Sequence, residues 1–165
     1  MSVKSLRFGV ASLSVAAAFA ATAVAAQAAL TVTVGSPVTL AARVAVTVPV
    51  TVSCDAWDPS LTQAMSGIGV SIEEASGNAI AYGSGFLTGA FPGPELYLCD
   101  GSPHTIPVTV QANPAGPPFH GGRAVVSASA NALAGIPCVP GETFFCFFNQ
   151  VTQSGVSGPT TVLLH

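Results

Sequence analysis

The stretch Arg43–Cys54, RVAVTVPVTVSC, decides how the rest of the chain is read. Its even positions are Val44, Val46, Val48, Val50, Val52 and Cys54; its odd positions are Arg43, Ala45, Thr47, Pro49, Thr51 and Ser53. Side chains alternate across a strand with period two, so one face is apolar and the other small and polar. Val and Thr are stiff at χ1 and suit a pleated surface. A half-buried strand of this kind needs a second apolar layer opposite. Cys54 closes it on the inward face, where it can be tied to that layer. Pro49 is outward and has no N–H for a ladder, which predicts a sheet edge or a bulge there.

Upstream, Leu30, Val32 and Val34 alternate with Thr31 and Thr33, Gly35-Ser36-Pro37 supplies turn chemistry, and Val38, Leu40 and Ala42 lead into the long strand. One strand cannot hold this whole run, so two or three are expected, bent at Gly35–Pro37 and near Ala41–Arg43. Downstream, Asp55–Gly67 reads as a connection with one helical turn over Ser60–Met65. Ile68, Val70 and Ile72 form a strand, Ser76-Gly77-Asn78 a hairpin loop, and Ile80 and Tyr82 the return. Gly83, Gly85, Gly89 and Gly93 with Pro92 and Pro94 predict a surface loop over residues 83–95, carrying Phe86, Leu87 and Phe91. Further strands are expected at His104–Gln111, Arg123–Ala130 and Thr160–Leu164, with a hairpin over Ile136–Gln150 that turns at Pro140-Gly141. About eight or nine short strands, with no helical period beyond the N-terminal segment, predict an all-β antiparallel sandwich.

That N-terminal segment reads as an address. Lys4 and Arg7 precede an apolar run from Phe8 to Ala26, and Ala23-Val24-Ala25 and Ala26-Gln27-Ala28 fit an A-x-A cleavage pattern. Residues 1–28 are expected to be a signal peptide and 29–165 a single disulfide-linked domain, secreted or periplasmic. After cleavage no stable membrane insertion is expected. The domain keeps Arg43 and Arg123 against seven acidic residues and has no Lys. Nucleic-acid binding needs many phosphate-neutralising cations, so that class is excluded.

Four cysteines in an exported chain imply two disulfides, with three possible connectivities. Cys54–Cys99 with Cys138–Cys146 is the expected set, the second pair closing a hairpin.

Three segments carry a resemblance: VTVSC at 50–54; CDG at 99–101 followed by HTIPVTV at 104–110; and FHGGRAVVSASA at 119–130. They resemble small exported bacterial proteins with an immunoglobulin-like β-sandwich and no assigned activity. The resemblance spans most of residues 29–165 and implies fold and location, not a reaction. Tyr97-x-Cys99 is similar to the tyrosine two residues before the second cysteine of antibody-type domains. Trp57, three residues after Cys54, comes too early for their core tryptophan.

Among sites, Asp55, Asp58 and Asp100 would gather around a Cys54–Cys99 bridge, and hard cations take clustered carboxylates, so these three form a candidate calcium site. The alternative is that Asp58 and Asp100 simply build turns. Trp57, Phe91, Phe145 and Phe147 form a candidate aromatic patch for a partner or ligand. Spacing argues against zinc at His104, His120 and His165, and Glu73-Glu74 should point to opposite faces. No cofactor is implied. The expected function is non-catalytic binding or assembly at the cell surface, toward an extracellular protein or glycan. A secreted protease inhibitor presenting residues 139–145 between Cys138 and Cys146 is the alternative.

Overall fold

The valine row behaves as its alternation requires. In a computed structural model, which describes residues 30–90, 93–137 and 147–165, Val46, Val48, Val50 and Val52 are all fully buried. They lie on β3 (Ala45–Ser53), which pairs on one flank with β1 (Thr31–Val34) and β2 (Thr39–Ala41). On its other flank stands β6 (Pro103–Ala112). Val44 departs from the pattern and is exposed, because Ala42 and Arg43 turn the chain with φ of 51° and 62° before β3 begins.

The remaining strands are β4 (Thr62–Ser76), β5 (Ala79–Ala90), β7 (Gly122–Pro137) and β8 (Phe147–Leu164). Every regular element among the described residues is a strand. The order β1-β3-β6-β5-β4-β7-β8 makes one antiparallel sheet, and its two ends meet. Val38 and Leu164 form an isolated bridge, the Leu40 N–H donates to the His165 carbonyl, and the His165 N–H donates to that of Val38. The sheet is thus nearly closed into a barrel. Its narrowest link is β5–β6, paired only at Gly83–Ala112 and Ser84–Gln111.

Val108 and Val110 of β6 stand beside the β3 valines in register, and Ile68 and Ile72 of β4 and Val126 of β7 join them in one buried core. Phe119, wholly buried, plugs the core from the loop before β7. It is fastened there by the Ala42–Arg43 turn: the Phe119 N–H donates to the Arg43 carbonyl, and Arg43 Nε donates to the Phe119 carbonyl. Cys54 and Cys99 are bonded as expected, across a sequence separation of 45. In the chain-entropy account a loop of that length contributes about 4 kcal/mol.

Four expectations are corrected. No helical turn forms over Ser60–Met65; β4 starts at Thr62 and absorbs the segment with a bulge between Gln63 and Met65. The glycine-rich run does not make a loop up to residue 90, because β5 continues to Ala90. Its glycines stand where another chain presses in: a Cβ on Gly83 would lie 2.6 Å from the Gln111 carbonyl oxygen, and one on Gly85 would meet that of Thr109. The last strand begins at Phe147 rather than Thr160. Finally, Pro49 lies on an inner strand. It faces the gap between β1 and β2, where its carbonyl accepts the Gly35 N–H.

The signal segment, Phe91, Phe145, the Cys138–Cys146 pairing, the turn at Pro140-Gly141 and the loop at 139–145 lie outside the described residues, as does the side chain of Phe147.

Candidate functional site: a serine-lined trough on the outer sheet face

The outer surface of β5, β4, β7 and β8 is built by register. Phe86, Gly69, Ser129 and Val156 stand side by side across the four strands. Beside that row run Thr88, Gly67, Asn131 and Ser154, and on its other side Ser84, Ser71 and Ser127. Parity sets the chemistry. The same strands send Ile68, Val70 and Ile72, and Ala128 and Ala130, into the core.

Glycine makes the floor. Phe86 Cζ lies 3.5 Å from where a Cβ would stand on Gly67, and its Cδ2 lies 3.6 Å from the same point on Gly69. The ring thus reaches both glycines, and Phe86 is 67% exposed. From the other flank Asn131 Oδ1 reaches to 2.8 Å of the Gly67 Cβ position and Ser129 Oγ to 3.2 Å of that of Gly69. Any larger residue at these two positions would displace the ring or the polar groups.

Two shallow depressions of about 360 and 370 Å³ open on this face and share Ser129 and Val156. No ionisable side chain lines either one. The hydroxyls of Ser71, Ser84, Ser127 and Ser129 and the carboxamide of Asn131 have no hydrogen-bond partner among the described residues. Val156, 77% exposed, walls the far side, and Tyr82, also exposed, stands four residues from Phe86 along β5. Phe86 lines neither depression but stands beside them across Gly69, so an exposed ring, an apolar wall and neutral polar side chains share one face of the sheet.

The outer face of β1, β2, β3 and β6 differs. Thr33, Thr51 and Thr105 align across it, as do Thr39, Thr47 and Thr109. Its hydroxyls partly satisfy one another, Thr51 and Thr105 Oγ1 standing 2.8 Å apart, and it carries no aromatic residue.

Of the sites expected from sequence, Trp57, Asp55, Asp58 and Asp100 fall at the end of the barrel near the disulfide. Trp57 packs against the core and its indole N–H donates to Gln63 Oε1 at 2.9 Å, so its polar edge is already engaged. Asp58 accepts from both the hydroxyl and the backbone N–H of Ser60, and these bonds hold its carboxyl below the ordinary range. Asp100 is held low by His104 Nε2, 3.0 Å away, and by the Ser102 N–H. The Asp55 carbonyl accepts from Gln153 Nε2. Asp55, Asp58 and Asp100 do not form a group of three able to hold one ion among the described residues. Glu73 and Glu74 do point to opposite faces. Glu74 is buried and accepts the His120 N–H at 2.8 Å. Ser76 Oγ lies 3.0 Å from His120 Nδ1, but the carboxylate beside them binds the His120 backbone rather than its ring. That pair lacks the orienting acid of a hydrolytic triad.

The trough itself escaped the sequence because its aromatic lay in a run read as loop. The available signal was parity. Tyr82, Ser84, Phe86 and Thr88 alternate with Gly83, Gly85, Leu87 and Gly89, a strand pattern in which glycine replaces the usual inward residues.

No family model, no curated protein and no solved structure matches the chain. Geometry therefore carries the functional reading. No helix among the described residues is long and apolar enough to cross a membrane, and the Cys54–Cys99 bond fits an oxidising compartment outside the cytoplasm.

Proposed function

We propose that this is an exported, non-catalytic, immunoglobulin-like β-sandwich that binds or assembles at the cell surface through the outer face of β5, β4, β7 and β8. One observation carries the reading: the exposed Phe86 ring stands against Gly67 and Gly69 beside five polar side chains that have no partner among the described residues. An exposed phenyl ring forgoes about 1.5–3 kcal/mol of burial, which a ligand seated on it would recover. The sandwich description is supported by the two-rung β5–β6 link, which divides the sheet into a β1/β2–β3–β6 half and a β5–β4–β7–β8 half packed on one core. Export is supported by the N-terminal sequence and by the disulfide.

The test is retention. Purified residues 29–165 are incubated with washed cell envelopes of the producing organism and the bound fraction is measured. Wild type is retained, and Phe86→Ala is released while keeping its thermal midpoint. Equal retention of the two proteins would remove this face from the function.

A further inference from the structure

We propose that the trough takes a neutral glycan, with a pyranose ring stacked on Phe86 and its hydroxyls bonded to Ser129 and Asn131. This rests on the surface-binding reading above and names the ligand for it.

Three features select that chemistry. The lining is uncharged, so it offers a phosphate, a carboxylate or an ammonium group no counter-ion. Its polar groups are hydroxyls and one carboxamide, each able to donate and to accept. Sugar hydroxyls also do both, so the two sets pair without charge. Third, a pyranose has an apolar face of C–H groups ringed by hydroxyls. An exposed phenyl ring such as that of Phe86, with its negative quadrupole face, receives such C–H groups favourably. Ser129 and Asn131 then stand beside the ring, where the hydroxyl rim would reach.

The shape favours a chain over a single sugar. The two depressions have ligand-site volume but are shallow, and they run on from one another past Ser129. Tyr82 lies four residues from Phe86 on the same face of β5, roughly 13 Å along the strand, where Glu73 is its cross-strand neighbour, so the uncharged part of the face ends there. The threonine face opposite has hydroxyls without an aromatic surface, so the same ligand has nothing to stack on there.

The experiment is affinity electrophoresis of residues 29–165 in native gels containing laminarin, hydroxyethyl cellulose, mannan or dextran, with polygalacturonate as the charged control. Retardation is expected in at least one neutral gel and not in polygalacturonate. Phe86→Ala should weaken it about tenfold and Phe86→Trp should preserve it. Ser129→Ala with Asn131→Ala should weaken it with the thermal midpoint unchanged. Unretarded wild type in every neutral gel, or Phe86→Ala retarded like wild type, overturns the glycan. Envelope retention separates the two levels. If retention depends on Phe86 but survives periodate and is lost after protease treatment of the envelopes, the partner is a protein. The surface-binding reading then stands and the glycan falls. If retention ignores Phe86, both fall.

Discussion

Pro49 and Pro107 stand directly opposite one another in the β3–β6 ladder. In an antiparallel pair, facing residues alternate between those that exchange two N–H···O bonds and those that exchange none. Two prolines can occupy only the second kind, so the bonds between these strands run through the even, core-facing positions. The nitrogen of Pro49 then points to the interruption between β1 and β2, and that of Pro107 to the flank of β6 that β5 leaves largely uncovered. TVPVT at 47–51 and TIPVT at 105–109 are therefore matched halves of one arrangement.

Position, not proline content, should decide tolerance. Pro49→Thr is expected to change stability by less than about 1 kcal/mol. Val48→Pro, one residue away, removes a ladder bond and should cost about 3 kcal/mol or more. Urea unfolding of the two variants checks this. Similar losses would mean the register is wrong.

Gln63 clamps the disulfide end of the barrel. Its Oε1 accepts from the Trp57 indole and from the Cys99 N–H, and its Nε2 donates to the Tyr97 carbonyl. Gln63→Leu leaves these groups unpaired in a buried place and should cost about 2–4 kcal/mol. Because Trp57 is the single tryptophan, its emission should shift to the red as the indole is released. Gln63→Glu sets a buried carboxylate oxygen against the Tyr97 carbonyl, so at neutral pH its loss should be at least as large.

Three glycines separate close approach from backbone freedom. A Cβ on Gly83 would crowd the Gln111 carbonyl, Phe119 and Val110, so Gly83→Ala should cost about 1–3 kcal/mol or prevent folding. Gly77 has open space but a φ of 60°, so Gly77→Ala should cost about 1–2 kcal/mol through the backbone alone. Gly158 has neither constraint, and Gly158→Ala should be neutral or stabilise by up to about 1 kcal/mol. Thermal midpoints of the three variants rank them.

Tyr97 should set the alkaline limit. Its hydroxyl donates to the Asn131 carbonyl, and burial pushes its phenol from 10.0 up to about 12. The unfolded chain thus loses this proton at lower pH than the folded one. Stability from Tyr97 is complete below about pH 10 and is lost as pH rises from there toward 12. Urea midpoints measured from pH 8 to 11.5 should fall more steeply in wild type than in Tyr97→Phe. The variant itself should be less stable by about 1 kcal/mol at pH 8, for want of the Asn131 bond.

Alternation is local, and what depends on it was legible. The buried row Val46–Val52 follows from consecutive alternation, as do the buried Val108 and Val110 and the all-strand character of the described residues. The Cys54–Cys99 bond was the expected one of three connectivities, chosen because Cys138 and Cys146 are spaced to close a hairpin of their own. Turn residues placed the Gly77-Asn78 hairpin, which closes on Ser76 and Ala79.

What stayed hidden depends on residues distant in sequence. Gly83 and Gly85 look like loop formers until β6 and Phe119 are seen pressing against them. Pro49 looks like an edge marker until β1 is found to end beside it. The candidate binding face was out of reach for the same reason. Phe86, Gly69, Ser129 and Val156 come from four separate strands and become neighbours only through inter-strand register. A strand's own pattern states which way each side chain points. Which strand lies alongside is settled by burying all the apolar faces at once, and that choice belongs to the whole chain.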